Sequence, residues 1–179
     1  MKRAITLFTI ALLFAGLAVF QYRTDDKESV TLAAPSSDFK PKAGFEATAF
    51  KLPALDEQSY EVGGKQGKLM FVNFWASWCG PCELEAPDLQ RLHEEYGDAM
   101  QLYGVNATKY DKERAARDFV NEHEFTFPIL MDRVGDVTKE YKVDTFPTTF
   151  LIDGDGVIRE RINGVIPYEE WQRLIEKWM

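Results

Sequence analysis

The chain carries two cysteines, and both lie in one pentapeptide, Trp78-Cys79-Gly80-Pro81-Cys82. Two thiols separated by two residues can close into a disulfide and reopen with little backbone movement. A bridge over so short a loop removes little entropy from the unfolded chain, which makes it a poor structural staple. Redox chemistry is the better account. Zinc needs about four ligands, and the sequence offers no third cysteine and only two histidines, His93 and His123, without metal spacing. A pair of inert buried thiols is the other alternative.

The flanking elements must position this pair. Leu69-Met70-Phe71-Val72-Asn73-Phe74-Trp75 is short, apolar and rich in aromatics, which predicts a buried strand. Residues 83–96 predict a helix, with Leu89, Leu92 and Tyr96 at helical spacing. Cys79 then sits at a strand-to-helix turn, where unpaired N–H groups and partial positive charge favour a thiolate. Pro81 suits a first turn, because its missing N–H has no helical partner there. The more N-terminal cysteine is expected to be the exposed nucleophile, with Cys82 shielded by the helix and acting as the resolving thiol. Trp75 is expected in the core.

At the N-terminus, Met1-Lys2-Arg3 is followed by an uncharged run over residues 4–20 and then by Gln21-Tyr22-Arg23. The pattern predicts a membrane anchor over residues 1–23, at the short end for a spanning helix. A cleaved signal peptide competes with it, but the small-residue site at Ala15-Gly16-Leu17-Ala18 is poor, so an uncleaved signal-anchor is preferred. No cysteine follows the run, which excludes lipoprotein processing. Lys2 and Arg3 face Arg23 and Lys27, so charge alone barely orients it. The α-amino group and the large C-terminal part favour a cytoplasmic N-terminus. The rest then lies outside the cytoplasm, where disulfides persist. Residues 24–42 are polar and carry Pro35, Ser36, Ser37 and Pro41, which reads as a flexible tether. Residues 43–179 suffice for one domain with a real core. The formal net charge of −8 argues against nucleic acid as a partner. Its interspersed charges read as a solvated surface.

Within that domain, residues 47–52 and 60–62 predict a hairpin through Asp56-Glu57. Residues 100–106 predict a second central strand, and Asp111 is expected to cap a helix over 112–122 with Ala115, Ala116, Phe119 and Val120 on one face. A strand over 128–131, a short helix over 134–141 and a strand over 148–152 follow. Asp153-Gly154-Asp155-Gly156 then turns the chain into a strand over 157–162. Its acidic spacing resembles the start of a calcium loop, but Val157 in position five is no ligand. A helix over 168–178 closes the chain, with Trp171, Leu174, Ile175 and Trp178 on one face. His93 and His123 read as helix-surface residues. Strands alternating with helices and ending in a hairpin predict an α/β sandwich with a mixed sheet.

Phe-Trp-Ala-Ser-Trp-Cys-Gly-Pro-Cys at 74–82, with Thr-Phe-Pro-Thr at 145–148, resembles the active-site segments of thioredoxin-fold proteins. With the insert over 111–132, the N-terminal hairpin and the anchor, the chain is similar to the ResA/TlpA-like group of membrane-anchored extracytoplasmic thiol-disulfide oxidoreductases, over roughly residues 40–179. The resemblance implies a thioredoxin-like three-layer α/β fold with a central mixed sheet, an N-terminal β-hairpin and a strand-helix insert. It implies a cis-Pro147 whose loop faces the cysteines and presents the backbone of Phe146 to an extended substrate. Trp78 is expected over the cysteines, in reach of substrate. Gly164 is expected to leave room for substrate, and a plain hairpin-end glycine reads equally well. Phe127-Pro128 has no nearby thiol and reads as an ordinary trans bond. The pattern Cys-x-x-Cys-x-x-Glu places Glu85 on the helix face of Cys82. It implies a carboxyl that takes up the proton of Cys82 and returns it; an exposed first-turn acid is the alternative. Asn73 stands where cytosolic thioredoxins carry a buried Asp. It cannot titrate, which leaves Glu85 as the nearest candidate by sequence.

The implied activity is a membrane-tethered thiol-disulfide oxidoreductase acting mainly as a protein-disulfide reductase. Cys79 attacks a substrate disulfide and Cys82 resolves the mixed disulfide. The implied substrates are apocytochrome c cysteines before haem attachment, or those of another envelope protein. The implied electron donor is an integral-membrane thiol carrier. No flavin or nicotinamide motif is present, so no cofactor is expected. A disulfide-forming oxidase uses the same residues in reverse. A thiol peroxidase is a second alternative, although its relatives usually place a Thr where this chain has Ala76. A redox-inactive module presenting the Phe146 loop is a third.

Overall fold

The computed structural model describes residues 31–32 and 39–179. The anchor expected over residues 1–23 and most of the tether expected over 24–42 lie outside them. Strand β4, Leu69–Trp75, is buried at every position, as its unbroken apolar run demands of a strand covered on both faces. It lies at the centre of a five-stranded sheet. β5, Met100–Asn106, runs parallel to β4, and β6, Ile129–Met131, runs parallel to β5. On the other side β7, Thr148–Ile152, and β8, Ile158–Asn163, complete the sheet in antiparallel pairing. The mixed sheet predicted from the sequence is therefore present.

The period of two along β4 splits its side chains between two layers. Leu69, Phe71 and Trp75 join an apolar cluster with Leu89 and Leu92 of helix α1, Gly80–Tyr96. Ala116 and Phe119 of α2, Glu113–Glu122, belong to it too, with Trp171, Leu174 and Ile175 of α4, Tyr168–Trp178. Met70, Val72 and Phe74 face a second cluster with Phe50, Leu52 and Val62 of the N-terminal hairpin, and with Val137 of α3, Asp136–Glu140. Asn73 has the parity of the first group, so it faces α1.

The hairpin pairs β2, Phe50–Pro53, with β3, Ser59–Val62, and β1, Thr31–Leu32, lies antiparallel on the outer side of β2. The segments flanking this hairpin touch both edges of the main sheet. Ala54 bridges Leu130 of β6, while Glu46 bridges Val157 beside β8.

Several boundaries move for local reasons. Helix α1 begins at Gly80 rather than at residue 83, because Cys79 itself serves as its N-cap. Helix α3 is shorter than the predicted 134–141 and is entered through Gly135 at φ 82°, a left-handed conformation that favours glycine. Asp111 does not cap α2: the N-cap is Lys112, which makes no side-chain capping bond. The two histidines are not simple surface residues. His93 packs edge-on against Phe127, and His123 makes tilted ring contacts with Phe119 and Phe125. The turn after β7 is closed by the Asp153 carboxylate, which accepts from the Asp155 and Val157 N–H groups and from the Arg159 guanidinium.

Candidate active site

Strands β4 and β5 are parallel and end side by side at Trp75 and Asn106. The redox loop leaves the first of these ends. Cys79, extended at φ −89° and ψ 102°, caps α1, and its Sγ accepts the Cys82 N–H at 3.2 Å. Its sulfur is bonded to that of Cys82, with the two Cα atoms 5.2 Å apart. Cys79 is 5% exposed and Cys82 2%. The expected order holds, but Cys79 is far less open than a first-turn nucleophile was predicted to be. The pair is packed into the apolar cluster with Trp75, Ala76 and Ala86, and Phe146 packs against that cluster.

Glu85 is 1% exposed. One turn of α1 carries it from Cys82 onto the sheet-facing side, beneath which Asn73 rises from β4. The Asn73 amide Nδ2 donates to Glu85 Oε1 at 2.7 Å and to Thr149 Oγ1 at 3.0 Å. Thr149 lies opposite Asn73 in the β4–β7 ladder. Glu85 Oε2 has no hydrogen-bond partner among the described residues. Burial pushes the carboxyl up to about 8, opposed by the Asn73 hydrogen bond and assisted by the charge of Asp88. At neutral pH beside the disulfide it is therefore mostly protonated. The alternative of an exposed first-turn acid does not hold.

The Phe146–Pro147 bond is the one cis peptide among the described residues, so Phe127–Pro128 is trans, as expected. Pro147 is buried and Phe146 half-buried. The ring of Phe146 meets that of Trp78 edge-on at 5.7 Å. The Pro147 carbonyl accepts the Gly164 N–H at 2.8 Å, so Gly164 joins this loop. A side chain at Gly164 would meet open space, and its φ of 85° is what favours glycine. Phe146 thus links Trp78 to the cluster that holds both cysteines, and Pro147 links the same loop to Gly164. Trp78 is 61% exposed. Tyr110, Leu84 and Val165 are also exposed, on segments that flank the redox loop or Gly164.

The sequence reading missed a second set of contacts. The Asp111 carboxylate accepts the Ser77 N–H at 2.7 Å, the Ser77 hydroxyl at 2.6 Å, Asn106 Nδ2 at 2.8 Å and the Lys112 N–H at 2.7 Å. The Trp78 indole N–H donates to the Tyr110 carbonyl at 2.9 Å. Burial works to raise the Asp111 pKa, but the bonds from Asn106, Ser77 and Lys112 outweigh it and hold the carboxyl below its ordinary value. Asp111 follows the carboxyl end of a parallel strand, where α/β sheets gather functional residues, but nothing local in the sequence joins it to Ser77.

The AhpC/TSA family pattern matches residues 43–161. The chain is 34% identical over 134 residues to the thioredoxin-like protein YneN of Bacillus subtilis, covering 74% of this chain and 78% of that one. It is 33% identical over 143 residues to the thiol-disulfide oxidoreductase ResA of Bacillus cereus, covering 79% and 82% of the two chains. Among solved structures, StoA from Bacillus subtilis aligns with a TM-score of 0.63 at 29% identity, covering 70% of this chain and 94% of that one. The chain belongs to the AhpC/TSA family, and its bonded Cys-x-x-Cys pair in a thioredoxin-like fold makes it a thiol-disulfide oxidoreductase.

Proposed function

We propose that this oxidoreductase works mainly as a protein-disulfide reductase outside the cytoplasm, held to the membrane by residues 1–23. Its proposed substrates are apocytochrome c cysteines before haem attachment, or those of another envelope protein. The surroundings of the cysteine pair carry this reading. Both sulfurs lie in an apolar cluster, and the buried ionisable group nearest along α1 is the carboxyl of Glu85. Low polarity disfavours thiolates. A disfavoured reduced state makes the dithiol a better electron donor.

In the proposed cycle the Cys79 thiolate attacks one sulfur of a substrate disulfide, and the other substrate sulfur leaves and takes up a proton. Cys82 then loses its proton, attacks Cys79 and releases the first substrate sulfur, which is protonated in turn. The substrate gains two electrons and two protons, and the enzyme is left as the Cys79–Cys82 disulfide. Glu85, mostly neutral beside that disulfide, fits as the group that holds the Cys82 proton until the pair is reduced again. A dithiol carrier in the membrane restores the two electrons. The Phe146 backbone and the exposed Trp78, Leu84, Tyr110 and Val165 suit an extended, partly apolar segment around the substrate cysteine.

One observation favours the oxidase instead. The Cys82 N–H reaches Cys79 Sγ at the start of α1, which supports a thiolate and hence the reduced form. The equilibrium reduction potential of the purified protein decides between the two. A value near the thioredoxin end, about −270 mV, is expected, and one near about −120 mV overturns the reductase in favour of the oxidase. For the substrate, cells lacking the protein are expected to lose covalently attached haem c and to regain it with added dithiothreitol. Unchanged haem c in those cells shifts the assignment to another envelope protein.

A further inference from the structure

Two adjacent residues after β5 grip two adjacent residues of the redox loop. The Tyr110 carbonyl holds the Trp78 indole, and the Asp111 carboxylate holds Ser77 through both its N–H and its hydroxyl. Ser77 lies inside the turn that the Cys79 N–H closes onto the Ala76 carbonyl at 3.2 Å. That turn sets where Cys79 Sγ meets the first N–H groups of α1. Asn106, the last residue of β5, donates to the same carboxylate and ties it to the sheet. Four donors occupy its two oxygens, so its orientation is fully determined.

We propose that Asp111 is a positioning residue for thiol exchange: through Ser77 it holds Cys79 where the start of α1 stabilises the thiolate. The proposal rests on the oxidoreductase activity but not on the direction of electron flow. Two effects of the carboxylate oppose each other, and that makes the idea testable. Its negative charge, taken alone, raises the pKa of a nearby thiol. Its grip on the loop lowers the pKa of Cys79 by keeping the sulfur on the helix N-terminus. The Cys82 thiol, Glu83 and Glu85 on α1, and Lys109, Tyr110 and Lys112 beside Asp111 are the other charged or titratable groups near the loop in sequence. All six are retained in the variants below.

The experiment is alkylation of Cys79 by iodoacetamide in the reduced full-length protein, followed across pH by peptide mass spectrometry, with thermal melting in parallel. If the grip dominates, Asp111→Asn raises the apparent Cys79 pKa by about one unit, so alkylation below that pKa slows about tenfold. The plateau rate at high pH stays the same. Ser77→Ala keeps the charge and deletes one hydrogen bond, and gives a smaller shift in the same direction. Asp118→Asn, which removes an exposed acid from α2, follows the parent. Faster alkylation in Asp111→Asn overturns the proposal, because the charge then outweighs the grip. Unchanged profiles in both variants, with only a lower melting temperature, also overturn it, since the role is then structural alone. Should Asp111→Asn fail to fold, the Ser77→Ala profile alone decides. A parent Cys79 that does not alkylate overturns the proposal together with the oxidoreductase reading, whereas the variant outcomes bear on Asp111 alone.

Discussion

Asn73 and Glu85 divide one job between them. The residue on the strand cannot titrate, and it donates to the residue on the helix, which can. The free pKa of Glu85 is 4.5 and burial raises it to about 8. The folded, oxidised protein therefore binds a proton here that the unfolded chain releases above about pH 4.5. Stability is then full below that pH, falls as pH rises toward about 8, and levels off above it, by a few kcal/mol in all. Denaturant titrations of the oxidised protein are expected to show this loss. Glu85→Gln, whose amide oxygen still accepts from Asn73, is expected to remove most of it, and an equal slope in the variant would sink the assignment. At this scale the sequence was informative where contacts are local. Cys79, Cys82 and Glu85 are joined by helical spacing, so their shared face was legible. Asp111 was not, because its partner Ser77 is distant in sequence and is met only once β4 and β5 lie side by side.

At the scale of elements, Glu113 ties α2 to the segment after β6 and, through Arg117, to the hairpin turn. Its carboxylate accepts from Arg133 at 2.9 Å and 3.1 Å and from Arg117 at 2.8 Å. Arg117 also reaches the Leu55 carbonyl and Glu57 in the hairpin turn, each at 3.4 Å. The hydrogen bonds from Arg133 and Arg117 hold the Glu113 pKa down at about 2. A depressed carboxylate stabilises the fold above its ordinary pKa, and that contribution is lost as pH falls from about 4.5 toward about 2. The Glu113 side chain is 33% exposed, so solvent screens the network and the contribution is about 1 kcal/mol or less. Glu113→Gln is expected to cost about that much at neutral pH and to flatten this part of the acid limb. An acid unfolding curve parallel to the parent's would remove Glu113 from this role. Strand and helix types were readable because hydrophobic period and turn residues are short-range signals. Helix starts were only partly readable: α4 begins at Tyr168 as predicted, while α1 begins at Gly80 rather than at residue 83 because Cys79 caps it, and Asp111 is drawn away from the start of α2.

For the whole molecule, the proposed address rests on residues 1–23. No helix among the described residues is long and apolar enough to cross a membrane. The full chain is expected to sediment with membranes and to resist extraction by high salt. Its C-terminal domain is expected to be digested by protease added to cells stripped of their outer layers. Recovery in the soluble fraction, or protection from that protease, would overturn the proposed anchor or its orientation. The net charge of −8 on the whole chain argues against nucleic acid but does not identify a protein partner. The sequence by itself determined the redox pair, the alternation of strands and helices, and the family resemblance, because each is written in nearest-neighbour spacing. Only the tertiary structure decided how deeply Cys79 is buried, that Glu85 carries a proton beside the disulfide, and that Asp111 serves the redox loop rather than a helix end. Those three depend on desolvation and on hydrogen bonds between segments far apart in the chain, which exist only once the sheet brings them together.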